Sequence, residues 1–259
     1  SNGLCKFENN NFTTYRDFRG NTKSNHILSL AADSQNNLWI GSFMGGLYRF
    51  NPERNKFDNF KRNNNADSIN GNVVRGLYRD KKGNIWLGLI KRGACMISNA
   101  DIKKGEYKFS KKIFDSTVVN SPGNATIYEI TENKNGDIFF SSSNNVYQYS
   151  PAQNKFSKII LSTISKGPSE NIAMICDISN CLWVSSYENC LYKAVNNNNN
   201  FSNFSIDVNG NEIGNVKSIF YEKNKSRILL GSSSGLFEFD ETCEKISKID
   251  LENKNVLVN

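Results

Sequence analysis

Apolar residues in this chain come in short runs separated by polar stretches rich in Asn, Asp, Lys, Ser and Gly, and the same succession of runs returns five times. The opening run of each unit is apolar at its first and fourth positions: Ile27/Leu30, Val74/Leu77, Ile127/Ile130, Ile172/Ile175 and Val216/Ile219. A polar turn follows, built from residues that accept left-handed or bridge conformations and so suit a tight hairpin. The second run, Leu38-Trp39-Ile40-Gly41-Ser42 in the first unit, is almost continuously apolar, the pattern of a strand covered on both faces. A third run alternates (Leu47, Tyr48, Arg49, Phe50), and a fourth carries spaced apolar residues: Phe57/Phe60, Phe156/Ile159, Phe201/Phe204 and Ile246/Ile249. No segment sustains an apolar stripe of helical period over helical length. The pattern predicts an all-β protein.

The units are copies of one another. Asp33-Ser34-Gln35-Asn36-Asn37-Leu38-Trp39-Ile40-Gly41-Ser42 returns as Asp80-Lys81-Lys82-Gly83-Asn84-Ile85-Trp86-Leu87-Gly88, and then in eroded form around Phe139, Trp183 and Leu229. The steps between those five anchor residues are 47, 53, 44 and 46 residues. Four short strands at that period are the mark of propeller blades, each too small to bury both its faces alone. The expected fold is a β-propeller of four-stranded antiparallel blades, five full repeats with partial repeats at both ends, cut from a larger array. The repeats span about 26–61, 73–114, 125–161, 171–205 and 214–250 within one domain, 3–259. Residues 3–16 match the last two strands of a blade, and 255–259 match the opening of another. Trp39, Trp86, Phe139 and Trp183 are expected between neighbouring blades, each burying roughly 150–250 Å². Leu229 is the weak copy, which predicts a looser fifth contact.

Composition narrows the functional classes. Of 259 residues, 38 % are hydrophobic, and the net charge of +7 is spread along the chain rather than gathered in a patch. Nucleic-acid binding calls for clustered cations interleaved with exposed aromatics on one face, so an acidic small ligand is the better match. The Asn tracts 63–65 and 196–200 read as loops, as does the insertion bearing Lys103-Lys104 and Lys111-Lys112. No run approaches the ~20 apolar residues of a membrane helix, and no secretory leader is recognisable. The six cysteines, Cys5, Cys95, Cys176, Cys181, Cys190 and Cys243, lack metal-ligand spacing, and His26 is the sole histidine. No metal or cofactor is expected. Cys176 and Cys181 bracket a hairpin turn, where either a disulfide or two buried thiols fits.

Enzyme motifs are missing: there is no phosphate-cradling loop, nucleophile elbow or zinc-protease helix. Asp33, Asp80 and Asp177 sit where a carboxylate caps its own turn. Binding is the better expectation, because one face of a propeller carries both the blade-to-blade loops and the turns between second and third strands. There the copies diverge most, at Phe43 and Met44, at Leu89, Ile90, Lys91 and Arg92, and at Tyr187, Glu188 and Asn189. Arg75, Tyr128 and Lys217 occupy corresponding places in the first strands, where other copies have Leu28 and Ala173. Phe43, Arg75, Lys91, Arg92, Tyr128, Tyr187 and Lys217 are therefore the candidate ligand-binding residues, suited to a carbohydrate or anionic sugar by stacking and bidentate hydrogen bonds.

The succession Val/Ile-x-x-Ile/Leu, Asp-x-x-x-Asn-Leu-Trp-Ile-Gly-Ser, Gly-Gly-Leu-Tyr-x-Phe-Asn-Pro and Phe-x-x-Phe resembles the two-component regulator propeller repeat over nearly the whole chain. The match is strongest in the first copy and fades from the third. The resemblance implies a noncatalytic periplasmic sensor region of a hybrid histidine kinase/response regulator. It would detect an oligosaccharide released from a polysaccharide, act within a dimer, and pass the signal to a kinase outside this chain. The alternative is a structural propeller that mediates dimer or domain contacts without a small ligand.

Overall fold

The computed structural model describes residues 3–15, 26–110, 117–143, 145–160, 173–186, 190–195, 200–241 and 244–250. The chain divides into two compact units: Ser1–Glu132 with Gly136–Ser142 and Tyr147–Lys158, and Asn133–Asn135 with Ser143–Val146 and Ile159–Asn259.

The first unit opens with an antiparallel hairpin of β1 (Leu4–Glu8) and β2 (Asn11–Tyr15). Its first four-stranded sheet is β3 (Ile27–Ala32), β4 (Leu38–Ser42), β5 (Leu47–Asn51) and β6 (Lys56–Phe60). A second follows in β7 (Val74–Arg79), β8 (Ile85–Leu89), β9 (Ala94–Ile97) and β10 (Phe109–Ser110), with the helix α1 (Asn99–Lys104) between its last two strands. Most of a third sheet belongs here too: β11 (Ile130–Glu132), β12 (Ile138–Ser141), β13 (Asn145–Ser150) and β14 (Lys155–Ile160). The second unit holds two sheets, β15 (Met174–Cys176) to β18 (Asn200–Phe204) through β16 (Leu182–Ser186) and β17 (Cys190–Val195), then β19 (Val216–Glu222), β20 (Arg227–Ser232), β21 (Gly235–Asp240) and β22 (Lys245–Lys248). In every sheet the strands pair in sequence order, the simplest meander.

The hairpin turns explain why the pattern folds this way. The Asp33 carboxylate accepts hydrogen bonds from the backbone N–H groups of Gln35 and Asn37 at 2.8 and 2.9 Å, from Asn37 Nδ2, and from the indole Nε1 of Trp39 at 3.0 Å. Asp80 does the same for Asn84 and Trp86, and Asp177 for Cys181 and Trp183. The turn cap expected of these aspartates is thus also the partner of the buried indole. Where the anchor is Phe139 the acid is replaced by Asn133, and where it is Leu229 the register puts Glu222 in its place, accepting from Arg227 Nε instead of an indole.

The three tryptophans pack against the next sheet along. Trp39 is fully buried among Val74, Leu77, Leu87 and Leu89, and Trp86 lies with Ile127, Ile130 and Phe140. In the second unit, Trp183 meets Val216, Leu230, Phe237 and Phe239. Close approach between sheets requires Gly41, where a Cβ would fall 2.6 Å from the Val74 carbonyl oxygen and 2.3 Å from Ser29 Oγ. Gly41→Ala should therefore cost about 1–3 kcal/mol by forcing two sheets apart, read as a lower urea midpoint at unchanged slope.

Three details depart from expectation. Leu30 is 49 % exposed, because the hairpin β1–β2 reaches Ile40, Tyr48 and Phe50 but does not cover it. In the fourth repeat Met174, not Ile175, stands opposite Val184 as Leu30 stands opposite Ile40. Ala173 therefore corresponds to Ser29 rather than Leu28. The insertion read as a loop contains α1, capped by Ser98 Oγ on the Asp101 N–H and closed by Gly105 in the left-handed region, with Lys103 and Lys104 at its negative end. Of the two readings offered for Cys176 and Cys181 the structure has the thiols: Cys176 pairs in register with Leu182, and both are half-buried and unbridged.

Candidate functional site

In the first unit the turns after β4 and β8 meet the loops that follow β6 and β10 at one end of the sheets, and hydrogen bonds hold them together. Phe43 N–H donates to the His26 carbonyl at 2.9 Å, and Gly46 N–H to Asn72 at 3.0 Å. One sheet on, Ile90 N–H donates to Val73, Gly93 N–H to Ala125 at 2.8 Å, and Lys91 N–H to Thr126 Oγ1 at 3.1 Å. Asn70 Nδ2 in turn donates to the Arg92 carbonyl. Met44 and Lys91 adopt φ of 66° and 55°, a region costly for residues with a Cβ. The side chains point outward from this fixed frame. Phe43 and Met44 are 43 % and 57 % exposed, and Phe43 lies against the His26 ring at 5.6 Å. Lys91 and Arg92 are exposed, the Arg92 stem lying over Gly71, where a Cβ would be 3.1 Å from its Cγ.

Arg75 owes its position to a β-bulge. Val74 pairs with Leu89 and Gly76 with Gly88, leaving Arg75 as the unpaired residue of β7. A bulge of this kind re-aims a side chain out of the sheet alternation. Lys217 occupies the same irregularity in β19 of the second unit, between Val216 and Ser218. Tyr128 is half-buried, its N–H bonded to the Ser141 carbonyl. The backbones of β7 and the Tyr128–Glu129 segment come close at Gly76, where a Cβ would stand 3.0 Å from the Tyr128 oxygen.

That approach sets Arg75 beside Glu129, which is not among the seven candidates. Burial lifts the Glu129 carboxyl from its ordinary 4.5 to about 7, against the opposing pull of the Ile130 N–H and the Arg75 guanidinium. A signal for it existed: the corresponding places in other copies hold the small residues Ser29, Gly76, Ala173 and Ser218. Of the seven candidates, the structure places Phe43, Arg75, Lys91, Arg92 and Tyr128 in the first unit, with Lys91 and Arg92 in one turn and Arg75 next to Tyr128–Glu129. Lys217 belongs to the second unit, and Tyr187, with Glu188 and Asn189, lies outside the described residues.

Residues 22–44 and 68–90 match the family described as two component regulator propeller. Each segment runs through a first strand, its Asp turn and a second strand, the portion that carries the Asp–Trp bond. In these two segments the chain is similar to the two-component regulator propeller repeat. Among curated proteins it resembles a histidine kinase P4 from Formosa agariphila, 28 % identical over 93 residues, which is 36 % of this chain and 7 % of that protein. Among solved structures it resembles the extracellular domain of a hybrid two-component system from B. thetaiotaomicron, at 18 % identity and a TM-score of 0.76 over 98 % of this chain and 33 % of that one. Virginiamycin B lyase from Staphylococcus aureus is also similar, at 12 % identity and a TM-score of 0.70 over 98 % of this chain and 78 % of the lyase. At these identities the likeness establishes the fold, a β-propeller. The chain spans about a third of the extracellular domain and a small part of the kinase. Among the described residues no helix is long and apolar enough to cross a membrane.

Proposed function

We propose that this chain is a noncatalytic ligand-sensing module from the extracytoplasmic (periplasmic) part of a two-component regulator, recognising an acidic oligosaccharide and passing the signal to a kinase beyond this chain. The carrying observation is the loop-bearing end of the first unit. There the backbone of the Phe43–Gly46 and Ile90–Gly93 turns is fixed by interstrand hydrogen bonds while Phe43, Lys91 and Arg92 project outward. An exposed ring presents a face to a sugar, and an exposed guanidinium offers a fork to a carboxylate or sulfate. The frame is pre-organised, so binding spends little on ordering the backbone. The likeness to extracellular domains of two-component systems supports the assignment to a sensor.

Titration calorimetry against oligosaccharides containing uronic acid tests the reading. Arg92→Ala and Lys91→Ala should each weaken binding about tenfold, near 1.4 kcal/mol, and raised salt should weaken it further. If no acidic or neutral oligosaccharide binds, and the parent regulator still responds with both cations replaced, the structural-propeller alternative takes its place.

A further inference from the structure

On the outer strands of the first unit, beside the Phe43–Gly46 turn, whose Gly45 carbonyl accepts the Asn59 side-chain amide, lies a cavity of about 190 Å³. One wall is aromatic and rigid: Phe60, Tyr107 and Phe109 have ring centroids 4.9 and 5.5 Å apart, with Trp39 stacked behind Phe60 at 5.7 Å. Arg49 lies over the Tyr107 ring at 4.9 Å and helps fix it. The opposite wall is the first stretch of the loop from β6 to β7, folded tightly on itself. Asn63 Oδ1 accepts the Asn65 N–H, Asn65 Oδ1 accepts the Asp67 N–H, and the Asp67 carbonyl accepts the Phe109 N–H. These bonds use the carbonyl ends of both amides and the backbone of Asp67. Among the described residues no hydrogen bond engages the Asn63 and Asn65 NH₂ groups, the Asp67 carboxylate or the Tyr107 hydroxyl.

We infer that this cavity is a binding site for a single uncharged sugar ring. Its polar groups are donors and acceptors in mixture, and its lining carries one charge of each sign, Lys61 and Asp67. A carboxylate flanked by two amides can accept vicinal hydroxyls while the amides donate to neighbouring ones, and the aromatic wall receives the apolar face of the ring. The volume falls below that of a drug-sized pocket and suits one ring. An anionic ligand would meet the Asp67 carboxylate and is disfavoured. The site shares no residue with the Phe43, Lys91 and Arg92 face and takes a different ligand class.

The test is two-dimensional amide NMR on the whole chain, titrated with glucose, galactose, mannose and N-acetylglucosamine. One of these should shift the side-chain amide signals of Asn63 and Asn65 saturably at millimolar concentration. Asp67→Asn keeps both backbone bonds and the shape, and should weaken that binding at least tenfold, equivalent to about 1.4 kcal/mol, at an unchanged unfolding midpoint. Arg92→Ala should leave it intact. The inference is overturned if none of the four sugars moves those signals, or if Asp67→Asn binds as well as the parent. Acidic oligosaccharides that bind through Arg92 in either event keep the proposed sensor face standing.

Discussion

Asp80→Ala should destabilise the protein by about 3–5 kcal/mol, the range for removing one partner from a buried, hydrogen-bonded charged network. The Asp80 carboxylate holds the Asn84 N–H, Asn84 Nδ2 and Trp86 Nε1, each at 2.8 Å. Alanine releases the turn and removes the carboxylate acceptor of an indole that is only 2 % exposed. Trp86→Phe alone should cost less, because Asn84 still serves the acid. The informative variant is Asp80→Asn with Trp86→Phe, which recreates the Asn133–Phe139 combination of the third repeat. Its cost should fall below the sum of the two single changes by about 1–3 kcal/mol, the coupling expected of groups in one hydrogen-bond network. Urea unfolding of the four proteins supplies the cycle. Additivity within about 0.5 kcal/mol would mean that the acid serves the turn only.

That coupling marks how far the sequence could be read. Strand number, order and the inter-sheet role of Trp39, Trp86 and Trp183 follow from a pattern repeated often enough to average out its exceptions. The Asp–Trp bond was within reach, because Asp33, Asp80 and Asp177 each precede a tryptophan by six residues and no aspartate stands six residues before Phe139 or Leu229. What escaped reading was local. The helix α1 is too short to show a period, and only its Ser98 cap and Gly105 stop announced it. The fourth repeat slipped by one residue because Ile172, Ile175 and Met174 are all apolar, and a one-residue shift reverses every side chain. On the loop face, the sequence located the turns but not which side chains meet. Arg75 and Glu129 are 54 residues apart, and only the near-contact of two first strands at Gly76 makes them neighbours.

Replacing Glu129 by Gln should make the protein more stable at alkaline pH and leave it unchanged in acid. The folded carboxyl titrates near 7 and an unfolded one near 4.5. Below about pH 4.5 both states carry the proton and the group contributes nothing. Between the two values the folded state holds a proton that the unfolded state has lost, so stability falls as pH rises, and the deficit is complete above about 7. Its size is about 3–4 kcal/mol, from the separation of those values at about 1.4 kcal/mol per unit. Unfolding of Glu129→Gln and its parent should therefore coincide near pH 4 and diverge by that amount near pH 8. Parallel curves throughout the window would show that Glu129 is well solvated. Arg75→Met should move the parent's fall to higher pH, because the guanidinium now favours the charged carboxylate. The same pair bears on recognition. Above neutrality Glu129 is the anion that Arg75 faces, and below it Arg75 is left with a neutral neighbour. An acidic ligand engaging Arg75 should then bind more tightly as pH falls through 7, a dependence that Glu129→Gln abolishes.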